Sequence, residues 1–216
     1  MNLRAKTLSA AAAALLVLAA FGAGTASASK FTVAIPAAET GSLTATAVTG
    51  ASTAFKTDFS TITCGAATWT GEMKTGDEAI TFDPVYGQCF FGFLTPVTVD
   101  MNGCDYLVQA TGELNYSCVE GGHITLTAPE CKITIEPNVA FPKLEFTEAF
   151  NEKTQVVDLT ITQQVQFNYL EEGNKCKNPK KLTVGEMTGK MTMNATHIVV
   201  KNGVEYLYDV GLGWDK

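Results

Sequence analysis

Along most of the chain, apolar and polar side chains alternate with a period of two. This is the pattern of antiparallel strands with one face buried and the other wet. In residues 67–73, Ala67, Trp69 and Met73 share one side, and Thr68, Thr70 and Glu72 the other. Residues 156–170 are clearer. Val157, Leu159, Ile161, Val165, Phe167 and Tyr169 fall on one side, and Asp158, Thr160, Thr162, Gln164, Gln166 and Asn168 on the other. Only Gln163 interrupts the apolar side. Met187, Met191, Met193 and Ala195 form a further stripe against Thr188, Lys190, Thr192 and Asn194. Helix signals are nearly missing, and Thr, Val, Gly and aromatic residues dominate.

The turns set the register. Asn102-Gly103 is a two-residue hairpin signal. It predicts Met101 opposite Cys104, Val99 opposite Tyr106 and Val97 opposite Val108. Ala110-Thr111-Gly112 reads as a three-residue loop that sets Val108 beside Leu114, Tyr106 beside Tyr116 and Cys104 beside Cys118. A turn at Ala128-Pro129 pairs Leu126 with Cys131 and Ile124 with Ile133. Asn202-Gly203 pairs Val200 with Glu205, Val199 with Tyr206 and His197 with Tyr208. The first three of these registers throw no apolar residue onto the wet face. Residues 95–136 therefore predict a meander of about five strands.

Residues 36–54, rich in Ala, Thr, Gly and Ser, leave two readings open: a strand around Leu43–Val48, or a loose leader. Residues 171–181 read as a polar loop that Cys176 tethers. The expectation is an all-β fold, an antiparallel two-sheet sandwich of Greek-key or jelly-roll type. It has about ten to twelve short strands in a single domain over residues 29–216.

The start of the chain sets the compartment. Arg4 and Lys6 precede an apolar run from Leu8 to Ala20, and Ala26-Ser27-Ala28 supplies small residues at a cleavage position. This is the layout of a secretory signal peptide, with cleavage expected after Ala28. The run is too short for a membrane span of about 20 residues. The six cysteines, Cys64, Cys89, Cys104, Cys118, Cys131 and Cys176, all lie beyond it. An even count in an exported chain reads as a disulfide framework. No two lie two to four residues apart, so zinc and CxxC redox readings fail on spacing. The register points to Cys104–Cys118, with Cys64–Cys89 and Cys131–Cys176 as the remaining pairs. A swap such as Cys104 with Cys131 stays open.

The net charge of −7 becomes −9 without the first 28 residues, which carry two basic and no acidic side chains. An acidic domain disfavours nucleic acid and anionic lipid as partners.

Part of the chain resembles a known group. The residues are Tyr86-Gly87-Gln88-Cys89, Val99-Asp100-Met101-Asn102-Gly103-Cys104-Asp105-Tyr106, Cys118 with Gly121-Gly122-His123-Ile124, and Cys131-Lys132-Ile133-Thr134-Ile135-Glu136-Pro137. They resemble exported six-cysteine β-proteins that are numerous in some GC-rich soil actinobacteria. The likeness spans residues 60–140 and rests on turns, cysteines and core positions. It implies a secreted bacterial β-domain and carries over no functional residue.

Candidate chemistry is thin. The two histidines, His123 and His197, lack a Gly-x-Ser-x-Gly elbow to serve. Glu72, Asp83, Asp100, Glu113 and Asp158 are carboxylates that a glycoside hydrolase could pair. Asp100, Asn102 and Asp105 surround a turn without EF-hand spacing. Met187, Met191, Met193 and His197 share parity as soft copper ligands would, but also as a core stripe does. Trp69 reads as core. Phe90, Phe91 and Phe93 are a contact-patch candidate if exposed. If they end a strand, Phe91 and Phe93 face the core and Phe90 does not.

The functional expectation is a secreted, non-catalytic β-domain with no cofactor, binding or structural at the cell envelope through a glycan or a protein. The alternatives are a secreted polysaccharide hydrolase with paired carboxylates, and a small-ligand binder between the sheets.

Overall fold

Every regular element among the described residues is a strand, and every pairing is antiparallel. The structure, a computed structural model, describes residues 29–36, 39–58, 61–92, 94–136, 141–142, 144–176 and 182–215. The expected signal segment and its cleavage point after Ala28 lie outside them. The first strands are β1 (Lys30–Val33), β2 (Gly41–Ala47), β3 (Thr53–Lys56), β4 (Thr61–Met73) and β5 (Ala79–Phe91). The meander region holds β6 (Thr95–Asp100), β7 (Cys104–Gln109), β8 (Glu113–Cys118), β9 (Ile124–Ala128), β10 (Cys131–Ile135) and β11 (Phe141–Pro142). Then come β12 (Leu144–Asn151), β13 (Val156–Glu172), β14 (Thr183–Lys201), β15 (Val204–Val210) and β16 (Leu212–Asp215).

Several successive strands run on in one direction along the same partner. β2 and β3 both pair with β4 and with β14. β6 and β7 both lie antiparallel to β5. β9 and β8 lie along β6 and β7. β10, β11 and β12 lie along β9, β8 and β13. The chain thus forms eight lanes in sequence order: β2–β3, β4, β5, β6–β7, β8–β9, β10–β12, β13 and β14. The last lane pairs back with the first, from Met191↔Ala47 to Thr196↔Ser42 and from Glu186↔Lys56 to Thr188↔Ala54. The pairing closes into an up-and-down ring, which leaves the lanes without a free edge over that span.

The all-β, antiparallel, disulfide-bonded class is therefore present, and opposite walls face each other across one core. Among the described residues the lanes follow chain order without a Greek-key crossing. They are also longer than the short strands expected, with 17 residues in β13 and 19 in β14. The stretch 36–54 contributes β2 and β3 to the closing lane instead of a leader.

One face of each lane fills the interior. Ala67, Trp69 and Met73 are buried, as are Met187, Met191, Met193 and Ala195. Trp69 stacks edge-on to Tyr106 at 5.0 Å, and Phe55 meets Tyr86 at 5.3 Å and Phe167 at 6.3 Å. The Tyr86 hydroxyl donates to the Tyr106 hydroxyl at 3.1 Å, and both lie 3.8 Å from the Met187 sulfur on the opposite wall. Burying each such ring contributes roughly 2–3 kcal/mol. Gln163, the one interruption of its stripe, is buried opposite Gly189. A Cβ on Gly189 would stand 2.5 Å from the Gln163 amide nitrogen, so the glycine makes its room.

Two turns depart from expectation. Asn102 and Gly103 do form a tight turn, with φ of 47° and 74° and Cys104 N donating to Met101 O at 2.9 Å. Yet β6 and β7 do not pair with each other. Both pair with β5, and residues 98–105 face residues 83–88 with two residues to spare. The turn takes up that excess as a jog in one lane. The Asn102 side-chain amide donates to His123 O at 2.8 Å, and Val119 N donates to Gly103 O, so the neighbouring lane jogs with it. The third turn falls at Pro129-Glu130, with Glu130 at φ 65°. It pairs Cys131 with Ala128, Ile133 with Leu126 and Ile135 with Ile124. This is two residues from the expected register and keeps every side chain on its face. Register follows expectation in β7–β8 and in β14–β15.

Three disulfides staple the lanes. Cys64–Cys89 joins β4 to β5, Cys104–Cys118 joins β7 to β8, and Cys131–Cys176 joins β10 to the loop after β13. The swapped pairing left open above is not formed.

β1 and β16 make a separate two-stranded pair that caps one end of the ring. Phe31 N donates to Asp77 O in the β4–β5 turn, and Trp214 Nε1 donates to Ala110 O in the β7–β8 turn. Phe146 on β12 packs between Phe31 at 5.4 Å and Trp214 at 5.0 Å.

The closed loops set the expected cost of losing each bridge. Sequence separations of 14, 25 and 45 residues correspond to about 3, 3.5 and 4 kcal/mol of restricted unfolded chain. Cys131→Ser with Cys176→Ser should therefore lower urea stability more than Cys104→Ser with Cys118→Ser, and the reverse order would contradict the entropic account. Burial holds the Tyr86 and Tyr106 hydroxyls neutral well above the ordinary tyrosine range. Because their folded values are raised, the stability they carry is fully present below a pH of about 10 and lost above it. The urea midpoint should hold steady from pH 8 to about 10 and then fall. A midpoint that stays flat to pH 12 would contradict burial of these rings.

Candidate functional site

β14 outgrows the ring. Its pairing with β2 ends at Thr196, and residues 195–201 continue against β15 as a projecting hairpin. The Asn202-Gly203 turn, with both residues at positive φ, closes the tip. At the base, His197 Nε2 contacts Glu39 Oε2 at 2.6 Å, and the His197 side chain is largely covered.

The arm is apolar on both faces. The pairing puts His197, Val199, Lys201, Val204, Tyr206 and Tyr208 on one side. On the other lie Ile198, Val200, Glu205, Leu207 and Asp209. Leu207 is 66% exposed and Val200 62%, and Ile198, Val204, Tyr206 and Tyr208 are also exposed. The Tyr206 and Tyr208 rings lie side by side, 6.5 Å apart and 33° from parallel. Isolated exposed apolar residues are ordinary, but a contiguous two-faced set marks an interaction surface.

The residues singled out from the sequence fall elsewhere. Phe90 points outward and is 40% exposed, whereas Phe91 packs against the core. Phe93 lies outside the described residues. Trp69 and the three stripe methionines are core. Glu72, Asp83, Asp100 and Glu113 stand on four different strands, β4, β5, β6 and β8. Asp158 on β13 is buried and accepts from Asn151 Nδ2 at 2.6 Å. Asp100 Oδ1 accepts from Asn102 N at 3.0 Å, so this carboxylate serves the jog.

The jog also opens a recess of about 470 Å³ in the wall, lined by Leu107, Asn115, Tyr116, Ser117, Val119 and His123 among others. Burial pushes the Tyr116 hydroxyl up. His123 Nδ1 is buried there and has no hydrogen-bond partner among the described residues. Among the described residues no carboxylate orients the imidazole and no hydrogen bond joins it to Ser117, which differs from the arrangement of a catalytic triad.

Comparison with protein-family models, with curated proteins and with solved structures finds no match for this chain. The geometry alone therefore carries the functional reading, and it singles out the arm. The sequence did hold a signal for it. Ile198-Val199-Val200 and Tyr206-Leu207-Tyr208 are apolar on both faces, which ordinarily means a strand buried on both sides. Here it means a strand exposed on both.

An arm kept for contact and not for folding should tolerate polar replacement. Tyr206→Ser with Leu207→Ser should leave stability within about 0.5 kcal/mol, the range of exposed sites. A loss of 2 kcal/mol or more in urea unfolding would show that the arm packs on the ring.

Proposed function

We propose that this protein is an exported, non-catalytic binding domain that works at the cell envelope through its β14–β15 arm. The observation that carries the reading is the contiguous exposed apolar surface on the arm, held on a closed and stapled scaffold. Three disulfides suit an oxidising compartment and agree with the N-terminal layout expected for export.

The outer faces of the lanes support a protein that stays in water. They carry Thr68, Thr70, Asp83, Thr162, Gln164, Glu186 and Lys190, while the interior is mainly apolar. A transmembrane barrel has the opposite polarity. A ligand held inside the ring would have to displace Trp69, Tyr86 and Tyr106 from their mutual contacts.

The test is retention of the oxidised protein on isolated cell walls, with released sugar assayed in the supernatant. The expected result is retention without release, weakened at least about tenfold by Tyr206→Ser with Leu207→Ser. Sugar release, or retention that the double variant leaves unchanged, would overturn the reading.

A further inference from the structure

The ring removes strand edges by closing, but among the described residues the arm restores two: a short one on β14 beyond Thr196, which ends in Lys201, and a longer one on β15. β15 pairs with β14 on one side, and among the described residues no strand pairs with its other side. Residues 204–209 are all exposed. Natural edges are shielded by proline, by bulges, by charged side chains, lysine above all, or by a covering element; on β15 the only charges are Glu205 and Asp209, which repel an acidic strand and admit a basic one. β15 carries no proline and no lysine, and none of its residues has positive φ. Its backbone donors and acceptors on that side are open to another chain.

Charge selects the occupant. Glu205 and Asp209 lie on the same face as Leu207 and flank it at two residues on each side. No basic residue lies on β15. A second copy, added antiparallel about Leu207, would set Glu205 opposite Asp209 twice. Like charges directly opposite destabilise a strand pair, and the chain's net charge of −7 adds to the repulsion. An extended segment with a basic residue opposite each carboxylate and an apolar residue opposite Leu207 has neither fault. Its alternate side chains would lie beside Tyr206 and Tyr208 on the other face.

We infer that β15 is a strand-addition site for an extended polypeptide of basic–x–apolar–x–basic pattern. The main chain of the partner completes the open edge, and Glu205, Leu207 and Asp209 read its side chains. The inference rests on the arm being the contact element and adds the class of partner.

The probe is the peptide Thr-Lys-Thr-Val-Thr-Lys-Thr, with a control in which both lysines are glutamates. Binding to the oxidised protein is followed by NMR titration and by amide hydrogen exchange. The lysine peptide should protect alternate β15 amides and bind about tenfold more tightly than the control. Glu205→Lys with Asp209→Lys, both at exposed positions, should reverse that preference without unfolding the protein. Shifts confined to another surface, equal binding of the two peptides, or dimerisation through β15 in sedimentation would each overturn the inference. No peptide binding, in a protein whose wall retention still depends on Tyr206 and Leu207, would overturn strand addition and leave the arm as the contact element. Failure of both experiments would remove the arm as well.

Discussion

The pairing of β14 with β2 and β3 holds the rest of the structure in place. β14 hydrogen-bonds to β2 and β3 on one side and to β13 on the other. That single closure turns a chain-order meander into a ring and gives the alternating stripes a common interior. Met187 can then lie against Tyr86 and Tyr106 from the opposite wall. It also defines the arm, which is the part of β14 left over once the ring is complete.

Closing lanes of unequal length requires slack, and the structure places it in a few jogs. Asn102-Gly103 absorbs two residues where β6 passes into β7, and the step between β8 and β9 answers it. Gly185 makes room of another kind, for a ring across the pair. A Cβ there would stand 2.6 Å from the Phe167 ring, its cross-strand partner. The disulfides join neighbouring lanes, and one of them ties the start of β10 to the loop after β13 at the far end from the cap. Their combined effect is comparable with the whole net stability of an ordinary domain, about 5–15 kcal/mol.

Local signals in the sequence carry the strands and short turns, and distant pairings leave little trace in it. The stripes of β4, β13 and β14 predicted the buried faces, because period two depends only on the strand itself, except at the start of β13, where Asp158 from the expected wet side is buried on Asn151 and Val157 is not. Asn202-Gly203 and Ala110-Thr111-Gly112 predicted their registers because a short turn joins the partners directly. Asn102-Gly103 misled because its backbone chemistry is that of a hairpin, while its neighbours had a better common partner in β5. The β1–β16 pair left no local trace, since its strands come from opposite ends of the chain. The arm was legible as a hairpin and not as a surface, because apolar runs do not say what covers them.

Native-state hydrogen exchange can separate a closed ring with an open-edged arm from an open sheet. Amides of β2 and of β14 from Met191 to Ala195 should exchange as slowly as those of β4 and β5. Alternate amides of β15, those facing away from β14, should exchange orders of magnitude faster. Closing-lane amides that exchange as fast as the free edge of β15 would mean that the ring is open, and would contradict the account.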